Sequence, residues 1–197
     1  MKCNRLRIGL TTASAIFTAA LLASGASPAP REKVLHRFSG SDGSDPFGNL
    51  IFDPAGNLFG TTTVGGTHNW GVVFELLRQE GGGWTEKVLH NFNFNFTDGF
   101  YPYAGLTRDA GGNLYGTTAG GGDYNCFGNP CGTVFELTPR ADGSWKEKIL
   151  HSFRGGDGDV PAGSLILDAA GNLYGTTAYG GHNNCANEDL GCGTVSN

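Results

Sequence analysis

Carboxylates and imidazoles recur along this chain at positions set by an internal period, so its candidate chemistry comes in copies. Asp42, Asp98 and Asp157 each open an Asp-Gly step. His36, His90 and His151 each close a Glu-Lys-(Val/Ile)-Leu-His run. A pair of carboxylates can hydrolyse a glycosidic bond, and a histidine can act as a general base. A catalytic set, however, is asymmetric. A histidine repeated inside a strand reads as a packing or hydrogen-bonding element, and an aspartate before glycine reads as a turn former. Asp53, Asp109 and Asp168 sit among Asn and Gly and invite a calcium reading, but the alternating oxygen donors of a calcium loop are missing. Turn capping accounts for them. The chain has no nucleophile elbow, no HExxH and no phosphate loop, and its many Gly-Gly steps empty a GxGxxG match of meaning. No catalytic residue, metal or cofactor is expected.

Cysteine chemistry is the next candidate. Cys126 and Cys131 fall in one Gly-rich loop, and Cys185 and Cys192 in the matching loop of the next unit. The first unit has a shorter loop and no cysteine there. Each lengthened loop thus carries a pair that a disulfide could staple, Cys126–Cys131 and Cys185–Cys192. Such small loops contribute at most about 2–2.5 kcal/mol through chain entropy, so loop rigidity is the larger benefit. A zinc site is the rival reading, but no pair has the two-residue spacing of a zinc knuckle.

The elements that carry these residues follow from the repeat. Gly-Asn-Leu-(Phe/Tyr)-Gly-Thr-Thr occurs at 56–62, 112–118 and 171–177, and the Glu-Lys run opens at Glu32, Glu86 and Glu147. Self-similarity at this period marks a propeller, solenoid or array. Within a unit, four β-branched and aromatic runs are bounded by Gly, Pro, Asn and Asp, the pattern of strands. No segment of the mature chain has a helical period. The expected fold is all-β: a β-propeller-like array of four-stranded antiparallel blades, about three in number, with units near 32–85, 86–146 and 147–197. The lone opening strand, 32–38, is expected to pair with the last strand near 193–195 and complete the final blade. Three blades fall below the usual four to eight, so a truncated product or a fragment of a longer array is expected, along with either marginal stability or association that covers exposed blade faces.

The succession Leu89-His90-Asn91-Phe92, Asp98-Gly99 with Pro102, Gly112 to Thr118, Gly120-Gly121 and Gly132 to Leu137 resembles the bacterial GloVer tandem-repeat proteins, across essentially all of residues 32–195. The resemblance implies an exported protein of the cell surface. Such proteins often end in one of several anchoring signals, and the family brings no established activity.

Residues 1–26 read as a signal peptide: Lys2, Arg5 and Arg7, then an apolar stretch, then Ser24-Gly25-Ala26. Losing those three cations takes the formal net charge from −5 to −8. An acidic surface disfavours nucleic acid and anionic membranes, and no membrane insertion is expected once the leader is gone. Function then belongs on the variable loops. Trp70 has no repeat counterpart and is the aromatic best suited to stack on a ligand. With Asp98, Tyr124, Asp157 and His182 it makes up the candidate binding surface, for a protein or a cell-wall glycan. The first reading is a non-catalytic exported binding or scaffold protein. The second is a propeller enzyme acting on carbohydrate or a lactone, which needs unique polar residues on one channel-lining strand. Those strands read Leu50-Ile51-Phe52, Leu106-Thr107-Arg108 and Leu165-Ile166-Leu167, where only Thr107 and Arg108 break the apolar pattern.

Overall fold

Short runs of β-branched and aromatic residues, punctuated by Gly, Asp and Asn, become strands throughout, and the described residues contain no helix. The structure, a computed structural model, describes residues 32–95, 97–122, 124–126, 129–181 and 191–197. Residues 34–197 form one unit.

In the first blade β1 (Ile51–Phe52), β2 (Leu58–Thr62), β3 (Val72–Arg78) and β4 (Trp84–Asn91) form an antiparallel meander in sequence order. After a short β5 (Gly99–Phe100), the second blade is built from β6 (Thr107–Arg108), β7 (Leu114–Thr118), β11 (Thr133–Pro139) and β12 (Trp145–Ser152). Its long loop holds β8 (Gly120–Gly121), β9 (Tyr124–Cys126) and β10 (Asn129–Pro130); β8 pairs with β5, and β9 with β10. The third sheet has three strands, β13 (Ile166–Leu167), β14 (Leu173–Thr176) and β15 (Val195–Ser196). The chain is therefore all-β, with antiparallel propeller-like blades: two of four strands and a third of three.

Each piece of the repeated heptapeptide has a physical task. The aspartate ahead of it closes the turn: Gly56 N–H donates to the Asp53 carbonyl at 3.0 Å, and Asn57 donates to the Asp53 carboxylate from its backbone (2.8 Å) and its amide (2.9 Å). Asp109 with Asn113, and Asp168 with Asn172, repeat this pattern. The glycine of Gly-Thr-Thr leaves room for a ring from the next strand. A Cβ at Gly60 would come within 2.7 Å of Phe74, and one at Gly116 within 2.5 Å of Phe135. The first threonine ties one blade to the next, Thr61 donating to the Ala104 carbonyl at 2.8 Å and Thr117 to that of Gly163 at 3.3 Å. The second secures its own loop: Thr62, Thr118 and Thr177 each donate to the carbonyl two residues on.

Central strands are buried on both faces, because a blade packs against neighbours on each side. Leu58, Val72, Phe74 and Leu76 form one cluster, joined by Leu35, Phe38 and Val88. Phe59 and Val73 of the first blade meet Phe92, Leu106, Leu114, Phe135 and Leu137 in another, so the larger core lies between blades one and two. The outermost strands alternate half-buried and exposed residues, as edge strands with one wet face do.

The expected pairing of residues 32–38 with the last strand does not occur. Residues 34–38 belong to no strand, and among the described residues β15 pairs only with β14, Thr176 opposite Val195. The segment instead lies on the first blade, where Leu35 and Phe38 join the Phe74 cluster and the Phe38 ring meets Phe74 edge-on at 5.0 Å. A short connection holds it there, through the Gly40–Gly43 and Ser44–Val64 bridges.

Candidate functional site: a histidine–carboxylate cluster at the blade junctions

A bulge in the β3–β4 ladder lies between Val73 and Phe74, which oppose His90 and Val88. Leu89 is the extra residue. The same irregularity in β11–β12 makes Leu150 the extra residue before His151. A bulge bends the strand and re-aims the side chains beside it, and the re-aimed residue here is the histidine. Its ring stands edge-on against the phenylalanine two residues later, with centroids 4.8 Å apart for His36–Phe38, His90–Phe92 and His151–Phe153.

The aspartate of the following Asp-Gly step reaches back to this histidine. Nε2 of His36 lies 2.9 Å from Asp42, His151 likewise 2.9 Å from Asp157, and His90 is 3.3 Å from Asp98. The same aspartates hold the loop after the phenylalanine, accepting backbone N–H groups of Ser39, Asn93 and Arg154 at 2.7, 3.0 and 2.7 Å. Asp98 also accepts the N–H of Gly99 at 2.7 Å and is buried.

A third group arrives from the next blade. Glu147, on the outer strand of blade two, lies 3.7 Å from His90. Candidate ligand atoms of His90, Asp98 and Glu147 all fall within 4.8 Å of one another. Burial, then the charge of Asp98 and a hydrogen bond to it, push the Glu147 pKa up to about 9. Glu147 therefore carries a proton at neutral pH and meets Asp98 without charge repulsion. Glu86 has the same relation to the first junction: its pKa is raised by burial and by the charge of Asp42. The three donors at the second junction have the chemistry to hold a divalent cation, and His90 Nε2 and Glu147 Oε1 are buried without a well-aligned hydrogen bond.

Of the residues expected at a binding surface, Asp98 and Asp157 belong to consecutive copies of this cluster. Trp70 sits elsewhere, half-buried in an aromatic group. It stacks on Phe94 at 5.1 Å and 25° and lies 5.2 and 5.1 Å from the tilted rings of Phe100 and Tyr101. Its carbonyl accepts the N–H of Tyr101 at 3.2 Å. Tyr124 is placed only by its backbone, in β9. His182 and Cys185 lie outside the described residues, and the side chain of Cys126 does too. Cys131 and Cys192 are each disulfide-bonded. Sequence reasoning passed over Glu86 and Glu147, although their recurrence four residues before each histidine was visible. It also passed over Phe47 and Tyr103, two exposed rings 6.3 Å apart.

The fold and its repeated junctions define a tandem-repeat, blade-forming protein. The Gloeobacter/Verrucomicrobia repeat model matches residues 11–187, and the chain belongs to that family. Among curated proteins no sequence matches it significantly.

Proposed function

We propose that this is an exported, non-catalytic repeat protein that binds a protein or a cell-wall glycan at the cell surface. One observation carries the reading: the ionisable cluster is duplicated at successive junctions, whereas the exposed aromatic run occurs once among the described residues. From Phe47 the run passes to Tyr103, then Tyr101 at 6.4 Å, then Trp70 and Phe94. Phe47 and Tyr103 are 72 and 40% exposed, so flat apolar faces remain open to a sugar ring or a partner side chain. Trp70 serves this surface as its half-buried support.

Export is supported by the leader-like residues 1–26 and by the disulfide-bonded cysteines, since disulfides persist in oxidising compartments. On this reading the pairs are the sequence-expected Cys126–Cys131 and Cys185–Cys192. Calorimetric titration of cell-wall oligosaccharides into the purified chain tests the binding role. Tyr103→Ala and Phe94→Ala should each weaken binding several-fold, about the worth of one aromatic contact. Binding unchanged by both, or turnover of a glycoside or lactone abolished by His90→Ala, would overturn the reading.

A further inference from the structure

We propose that His90, Asp98 and Glu147 bind one zinc ion at the junction of blades one and two, where it clips the outer strands of the two blades together. His90 lies on β4, Asp98 on the connection that follows it, and Glu147 on β12 of the next blade.

The donor atoms are spaced as ligands rather than as hydrogen-bond partners. His90 Nε2 lies 3.3 Å from Asp98 Oδ2 and 3.7 Å from Glu147 Oε1, and one such atom from each residue falls within 4.8 Å of the others. Tetrahedral zinc with bonds of about 2.0–2.2 Å holds its ligand atoms roughly 3.3–3.6 Å apart. An N–H···O hydrogen bond draws its partners in to about 2.9 Å. The flanking copies adopt that shorter spacing. His36 Nε2 meets Asp42, and His151 Nε2 meets Asp157, at 2.9 Å each. His151 and Asp157 also line a cleft of about 430 Å³, bordered by Gly175 and Ser196.

A second observation is independent of spacing. His90 Nε2 and Glu147 Oε1 are shut off from solvent, and no hydrogen bond reaches either atom. Buried polar atoms without partners are destabilising, and a cation held between these two satisfies both. Asp98 is already held in place: its Oδ2 accepts the N–H of Asn93 at 3.0 Å and its Oδ1 that of Gly99 at 2.7 Å. Ligating carboxylates are commonly oriented in this way. The bulge at Leu89 and the edge-on ring of Phe92 aim the imidazole.

One imidazole with two carboxylates suits zinc. Calcium takes about six to eight oxygen ligands, and magnesium keeps an octahedral shell of them. Coordination needs ionised carboxylates, so zinc displaces the proton that Glu147 keeps in the metal-free chain. Its two positive charges then offset the two carboxylates.

Calorimetric titration of zinc chloride into the chelator-stripped chain tests the site, with thermal unfolding as a second readout. No glycan or protein partner is involved, so the outcome is separate from the surface-binding role. One ion per chain is expected, with a rise in unfolding temperature that EDTA reverses and calcium does not produce. Glu147→Gln keeps the shape of the protonated acid and so keeps the fold. It should weaken zinc binding about 100-fold or more, beyond the roughly 10–100-fold that loss of an outer partner costs. His90→Gln should do the same, whereas His151→Gln should bind zinc like the wild type. No uptake at tens of micromolar zinc, uptake that Glu147→Gln leaves intact, an equal loss in His151→Gln, or the same response to calcium would overturn the proposal.

Discussion

Glu147 shows why histidine and aspartate can recur through this fold as structure. A buried carboxyl facing Asp98 keeps its proton, and the junction then closes without two like charges in contact. Raising a folded-state pKa from the ordinary 4.5 to about 9 means the native state holds a proton that the unfolded chain releases. The contribution is complete below the unfolded pKa and is lost as pH rises from about 4.5 towards 9. Glu86, shifted the same way, adds to the slope. Glutamine mimics the protonated acid, so Glu147→Gln should be close to wild type near pH 5 and more stable than wild type near pH 9. Thermal unfolding across that range checks it, and parallel pH profiles for the two proteins would count against the buried proton. The sequence revealed the recurring histidines and aspartates but not their partnership. That depends on the bulge at Leu89 and Leu150, which a one-dimensional pattern does not display, and on a glutamate from another blade.

At the level of the strand, the repeat was read correctly because its turns have local chemistry. Asp-x-x-Gly-Asn closes on itself through contacts at most four residues long, so Asp53, Asp109 and Asp168 were legible as turn formers. The task of Gly60 and Gly116 was not legible, since it concerns a ring on the neighbouring strand. That task makes the third unit informative: Ser196 opposes Gly175 where Phe74 opposes Gly60 and Phe135 opposes Gly116. A Cβ at Gly175 would meet only Leu165. Ser196→Phe should fill the cleft there and stabilise the third blade by about 1–2 kcal/mol, part of the value of burying a whole ring. Urea unfolding at low protein concentration measures it; no gain would mean that the cleft is not the vacant ring position. In the loops, mapping of unreduced peptides by mass spectrometry should recover Cys126–Cys131 and Cys185–Cys192. Linkage between the two loops would contradict local staples.

For the molecule as a whole, the expectation that failed is the internal closure through residues 32–38. Sequence similarity marked this segment as an outer strand, but residues 34–38 belong to no strand. It could not say which blade the segment would face: Leu35 and Phe38 pack on the first blade, while residues 34–38 join no ladder. Phe38 is held by Phe74, with ring centroids 5.0 Å apart. The second blade is thus flanked on both sides by packed neighbours, and among the described residues nothing pairs with the outer edge of β15. Repeat proteins divide their stability in this way, each unit depending on its neighbours. Hydrogen exchange measured strand by strand tests this gradient most directly. In dilute solution, amides of β2, β3, β7 and β11 should exchange slowest, those of β13 to β15 and of residues 34–38 much faster. Third-blade amides as protected as those of the second blade, in a chain shown to be monomeric, would contradict the account.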